Sequence, residues 1–181
     1  MREKDAETIP LDGHTLLPGF IYCHVHLLMD MEFDTFGSLL NTPDPLVILK
    51  AAQFARETLL AGITSVRDLG GKNGVDLVLR DAIKAGLVPG PRMQAGGKMI
   101  CMTGGTGWPV GREADGPDEV RKAVREELKR GIDVLKIMAT GGILTAGVEP
   151  GSPQYTEEEL RAGIEEAHKA GRKAASHAQG T

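Results

Sequence analysis

Leu16-Leu17-Pro18-Gly19-Phe20-Ile21-Tyr22-Cys23-His24-Val25-His26 is the stretch that decides the fold. An apolar run bounded by Pro18 and Gly19 predicts a short buried strand. Its far end carries two histidines two residues apart. Side chains at i and i+2 of a strand share a face, so the two imidazoles project together. Two neutral imidazoles on one rigid face are half of a transition-metal site. By the same alternation Cys23 and Val25 point the other way, which argues against Cys23 as a ligand of the same ion. Without further donors the pair is simply two histidines at the exposed end of a strand.

Working outward, one organisation repeats: helix, glycine, short strand, polar or glycine-rich loop, helix. Asp44-Pro45 opens a helix, with Asp44 as cap and Pro45 in the first turn. Leu46, Leu49, Ala52, Phe54, Leu59 and Leu60 predict a broad apolar face on it. Gly62 ends it. The β-branched run Ile63-Thr64-Ser65-Val66-Arg67-Asp68 predicts a second strand. Val75 to Ala85 reads as a helix with Val75, Leu79, Ala82 and Ile83 on one side. Pro91 to Ala95 is a weaker third strand. Gly116-Pro117-Asp118-Glu119 opens a helix in which Val120, Val124 and Leu128 recur at four-residue steps. Val134 to Met138 is a fourth strand. Thr156 and Glu159 form a capping box for a last helix, with Leu160, Ile164 and Ala167 inward. Lys173 to Ala178 is a fifth strand. The helix stops are Gly62, Gly86, Gly131 and Gly171.

Such alternation predicts an α/β fold with a parallel sheet and right-handed crossovers. Function then gathers at the carboxyl ends of the strands. His24, His26, Asp68, Lys136 and His177 fall at or near those ends, so dispersed segments converge on one rim. Thr8 to Thr15 predicts a strand, a turn at Asp12-Gly13 and entry to the next strand, with His14 beside the turn at the surface. Leu27 to Asn41 reads as a loop whose carboxylates, Asp30, Glu32 and Asp34, either face a substrate or are solvated.

Composition bounds the rest. A chain of 181 residues with 41% hydrophobic, 25% charged and 4% aromatic residues suits one domain, or one domain plus a fragment, with small aliphatics inside. The net charge of −4 has its signs interleaved, which speaks against a nucleic-acid partner. Apolar runs fall short of the roughly 18 residues that cross a bilayer. Met1-Arg2-Glu3-Lys4-Asp5 has no apolar stretch behind it, so no signal peptide is expected. Two cysteines without framework spacing suit a reducing, cytoplasmic setting.

Lys136 interrupts an otherwise apolar strand. A buried lysine must be neutral, paired or modified. It ends the strand in solvent, pairs with a carboxylate such as Asp68, forms a Schiff base, or reacts with CO₂ to give a carbamate that bridges two cations. His177 is either a hydrogen-bonding rim residue or a third imidazole ligand. His168 sits in a helix rich in Glu and Lys and faces solvent. The loop Thr103 to Gly107 lacks the Lys-Ser/Thr of a P-loop and does not fit GxGxxG. It reads as a place for close backbone approach to a substrate.

In their order, these segments resemble the amidohydrolase superfamily. Leu17-Pro18-Gly19-Phe20-Ile21 followed by His24-Val25-His26 is similar to its first-strand motif. Ala61 to Asp68 resembles the second strand, Thr103-Gly104-Gly105 the third loop, Val134-Leu135-Lys136-Ile137 with Gly141-Gly142 the fourth strand, and Tyr155 through His177-Ala178 the fifth unit. The nearest branch is the imidazolonepropionase-like and Xaa-Pro dipeptidase-like one. The resemblance implies a metal-dependent hydrolase of C–N bonds on a (β/α)8 barrel, here partial, with about five parallel strands and four helices. It implies zinc or a similar divalent cation, one or two ions. His24 and His26 would hold the first, carbamylated Lys136 would bridge as the catalytic lysine, and His177 would hold the second. It implies a small amide, cyclic amide or dipeptide substrate, with Asp68, Gly104, Gly105 and Thr106 as substrate-side candidates.

Tyr22 stands where the motif usually has Asp, and Thr106 where the branch often has His. Residues 1–15 read as a lead-in strand left from an N-terminal β-sandwich, and 16–181 as the half barrel. The sequence reads as stopping after strand five, leaving the family's sixth-strand His and eighth-strand Asp without counterparts. An open seam of that kind predicts a homo-oligomer. The rivals to hydrolysis are a non-catalytic metal-binding or self-assembling module and a Schiff-base lyase using Lys136.

Overall fold

The computed structural model describes residues 7–30 and 35–180. Met1 to Asp5, Glu32 and Asp34 lie outside the described residues. The long elements alternate as the glycine stops predict. They are β1 (Phe20–Val25), α2 (Asp44–Leu60), β2 (Ile63–Asp68), α3 (Val75–Lys84), β3 (Arg92–Ala95), α4 (Pro117–Arg130), β6 (Val134–Met138), α5 (Glu157–Lys169) and β7 (Lys173–His177). The two-residue strands β4 (Ile100–Cys101) and β5 (Arg112–Glu113) and the short helix α1 (Thr35–Asn41) complete the set.

Every pairing between these strands is parallel. One sheet runs β1-β2-β3 and the other β5-β4-β6-β7. They are stitched where the chain leaves β3. The Asp133 N–H donates to Ala95 O (2.9 Å), and the Ala95 N–H donates to the Asp133 carboxylate (3.1 Å). The result is an α/β wall of parallel strands backed by helices.

Two apolar clusters fill the space between strands and helices. Val47, Ala51, Ala55, Val66, Val75 and Leu79 join α2 and α3 to β2. Val120, Val124, Leu135, Ile137 and Ala167 join α4 and α5 to β6. The capping box of Thr156 and Glu159 forms as predicted. The glycines that stop the helices, 62, 86, 131 and 171, all take positive φ, the left-handed turn that glycine adopts at least cost.

Four expectations are corrected. Residues 7–19 contain the turn at Asp12-Gly13 but no strand, because among the described residues no strand lies beside this exposed segment to complete a ladder. β1 is a strand but not a buried one. Phe20, Ile21 and Tyr22 are 59%, 71% and 53% exposed, since β1 is the edge of its sheet. The loop expected over Leu27 to Asn41 contains α1, anchored by buried Leu39. On α2 the buried stripe is Val47, Ala51 and Ala55, while Leu46, Leu49 and Leu60 face water. Small side chains let that helix approach β2 closely, and this outweighs the greater hydrophobicity of leucine. No described helix is long and apolar enough to cross a membrane.

Candidate active site

β6 is buried along its whole length, and its side chains divide by strand alternation. Leu135 and Ile137 enter the cluster under α4 and α5. Lys136 and Met138 face the other way, into a cavity of about 240 Å³. His177, at the carboxyl end of β7, is in register with Met138, and Ala175 is in register with Lys136. His24 and His26 reach the same cavity from β1 and the residue just beyond it. The predicted His24, His26, Lys136 and His177 thus line one space. Thr106 joins them from the glycine loop.

β1 departs from simple alternation on the way. Its register against β2 slips between Tyr22 and Val25, a bulge with one extra residue. Cys23 therefore does not follow Val25 into the core. It lines a separate groove with Ile21, Ser65, Arg67, Arg92 and Gln94.

The surroundings of all three imidazoles favour the neutral form, the one that ligates metals. His26 Nδ1 lies 2.9 Å from Gly70 O, which makes Nδ1 the protonated nitrogen and leaves Nε2 as the free donor. Burial is the main force on His26 and pushes its pKa down to about 4, against the opposing pull of the Gly70 carbonyl. His24 and His177 are also pushed below the usual histidine range, first by burial and then by the charge of Lys136. The rings of His24 and His26 meet edge to face, with centroids 5.4 Å apart. His177 Nε2 is buried without a hydrogen-bond partner.

Lys136 is 1% exposed, and among the described residues no carboxylate lies within ion-pair distance of it. Burial, with a smaller contribution from the Arg67 guanidinium, brings its pKa down to about 8. At neutral pH the amine is mostly charged, with a minority of about a tenth in the neutral form. The pairing of Lys136 with Asp68 does not occur. Asp68 is fully buried and accepts the N–H groups of Leu27 (2.7 Å) and Gly70 (2.9 Å). Burial and the nearby Asp76 raise it to about 8. It fastens the residue after His26 to the end of β2, behind the cavity and not in it.

The glycine loop is clamped to the loop after β6. The Thr106 N–H donates to Gln154 Oε1 (2.9 Å), the Gly107 N–H to Thr145 Oγ1 (3.0 Å), and the Gly142 N–H to Thr106 Oγ1 (2.7 Å). Gly104 is exposed and donates its N–H to the Glu113 carboxylate, while Gly105 packs between Met102 and Gln154. Neither lines the cavity.

The sequence reading missed the apolar lining: Met29, Phe36, Met99, Met138, Ile143 and Leu144. Met138 was within reach of strand parity from Lys136, and Ile143-Leu144 stood out as an apolar pair after two glycines. The others come from irregular segments with no periodic signal.

Among the described residues no three His, Cys, Asp or Glu side chains are grouped tightly enough to enclose an ion. Lys136 is the additional group that the cavity offers. The unpartnered His177 nitrogen, the oriented His26 and the uncharged imidazoles fit a divalent cation as a donor set.

Comparison with known proteins agrees with this arrangement. The model of the amidohydrolase family matches residues 15–181. An ochratoxinase of Aspergillus niger is 31% identical over 191 residues, covering 91% of this chain and 39% of its own length. A solved prolidase complexed with N-methylphosphonate-L-proline superposes with a TM-score of 0.87 at 34% identity, over 98% of this chain and 47% of that one. A Xaa-Pro dipeptidase with bound methionine gives 0.81 at 34%, over 89% and 43%. The chain spans less than half the length of these relatives. With motif order, strand arrangement and family match in agreement, the chain belongs to the amidohydrolase family.

Proposed function

We propose that the protein is a metal-dependent hydrolase of C–N bonds in small amides, cyclic amides or dipeptides. The single observation that carries this reading is the convergence of His24, His26, Lys136 and His177 on one cavity at the carboxyl ends of the strands. The solved relatives described as a prolidase and a Xaa-Pro dipeptidase support the dipeptide part of it.

In this reading His24 and His26 hold one divalent cation, zinc or similar, and His177 a second. When bound, the metal supplies the Lewis acidity that makes water nucleophilic near neutral pH and polarises an amide carbonyl. The chain's own residues prepare the site. Gly70 O fixes the His26 tautomer. The Thr106–Gly142 bond holds the loop beside His177. The neutral fraction of the Lys136 amine would add to CO₂, the new N–C bond forming as one C–O π bond opens to a carboxylate, and the N–H proton would pass to water. The carbamate would offer anionic oxygen to the cations that the imidazoles would hold. Met29, Phe36, Met99 and Met138 give the cavity an apolar wall.

No carboxylate lines the cavity among the described residues. Residues 16–181 are assigned to the barrel and 1–15 to a lead-in segment. Free Cys23 and Cys101 suit a reducing, cytoplasmic setting.

Metal analysis of the purified protein, combined with a screen of dipeptides and small amides, tests the reading. Stoichiometric metal with turnover supports it. Metal without turnover on any substrate favours a non-catalytic metal-binding module. Borohydride trapping of a carbonyl compound on Lys136 would favour a lyase.

A further inference from the structure

We infer that this cavity selects amides carrying an uncharged, apolar side chain beside the scissile bond, and that Ile143 and Leu144 form its outer lip. The inference rests on the hydrolase reading above and adds the substrate class.

Three observations carry it. First, six of the twelve lining residues are large and apolar, Met29, Phe36, Met99, Met138, Ile143 and Leu144, and they surround the histidines and Lys136. Three are methionines, unbranched and adaptable, which suit aliphatic and aromatic groups of varied shape. Second, among the described residues no Asp or Glu lines the cavity. A cationic side chain would find no carboxylate there and would lie beside the divalent cation that His24, His26 and His177 would hold. An anionic one would lose its hydration against the apolar wall. Third, Ile143 and Leu144 are 76% and 56% exposed at the tip of a loop whose base is fixed. The Gly142 N–H is bound to Thr106 Oγ1, and Thr145 Oγ1 is bound by the Gly107 N–H. Two aliphatic side chains are therefore held out at the mouth by hydrogen bonds on either side of them. They do not serve the core, and a substrate group entering past them would cover them.

The test uses the 181-residue chain loaded with zinc and titrated calorimetrically with the N-acetyl hydroxamates of leucine, methionine, lysine and glutamate. The hydroxamate engages the metal and leaves the side chain to report on the wall. The leucine and methionine compounds should bind at least about tenfold tighter than the lysine and glutamate compounds, the scale on which apolar pockets discriminate. In the double variant Ile143→Ser, Leu144→Ser that ratio should shrink several-fold, with zinc binding retained. Equal binding of all four, tighter binding of a charged compound, or a ratio untouched by the double substitution overturns the inference while leaving the hydrolase reading intact. Failure of every hydroxamate to bind overturns both.

Discussion

A Cβ atom at position 142 would lie 2.9 Å from His177 Nε2, so the glycine there is what leaves that nitrogen open. The same Cβ would sit 3.0 Å from Thr106 Cγ2. The site therefore depends on the absence of a side chain as much as on the imidazoles.

Gly142→Ala should crowd His177 and weaken zinc binding about tenfold or more, in the range seen when the surroundings of a metal ligand are disturbed. Competition with a chromogenic chelator measures it, and circular dichroism checks that the fold persists. Unchanged affinity would mean that His177 Nε2 is not a ligand.

Thr106→Val removes the acceptor of the Gly142 N–H while keeping the shape of the side chain. Thr106 is 5% exposed, so the amide is left buried and unpartnered. A loss of about 1–3 kcal/mol is expected in urea unfolding. A variant as stable as the parent would show that the loop clamp contributes nothing.

The repeating βα organisation was legible because each stop is a glycine whose backbone the turn requires, and because β2 and β6 are short β-branched or aliphatic runs. His24, His26 and His177 were legible because they lie at strand ends, where parity and position suffice, and Lys136 because it interrupts an otherwise apolar strand. Three things were not. The bulge in β1 breaks the alternation that was used to aim Cys23. Asp68 lies at a strand end but on the helix side, where it caps backbone amides and does not meet a substrate. The face of α2 was misread because close packing against β2 favours Ala51 and Ala55 over the larger leucines.

Asp76 makes a prediction about pH. It is fully buried, Oδ1 has no partner, and Oδ2 accepts the Gly97 N–H at 2.7 Å. Burial raises its pKa, and its charge helps raise Asp68 to about 8. Both groups bind protons more tightly folded than unfolded. The contribution of Asp68 is full below about pH 4, the unfolded value, and is lost as pH rises through about 8, and Asp76 is shifted in the same direction. Asp76→Asn removes one charge and relieves the other, so its Tm advantage over the parent should grow from pH 5 to pH 8 in scanning calorimetry. An advantage that is flat or shrinks over that range would contradict the account.

The exposed apolar edge of β1 predicts self-association through a second copy of the chain. Light scattering should show a dimer or larger, and Ile21→Lys should shift it toward monomer. A parent that is monomeric at high concentration would remove this prediction.

The most direct test is crystallographic. Crystals grown with zinc and bicarbonate would be measured on both sides of the zinc absorption edge. Anomalous peaks within bonding distance of His24, His26 and His177, with extra density of CO₂ size on Lys136 Nζ, are the predicted result. Zinc bound elsewhere, or a bare Lys136 with the three imidazoles turned from one another, would contradict it.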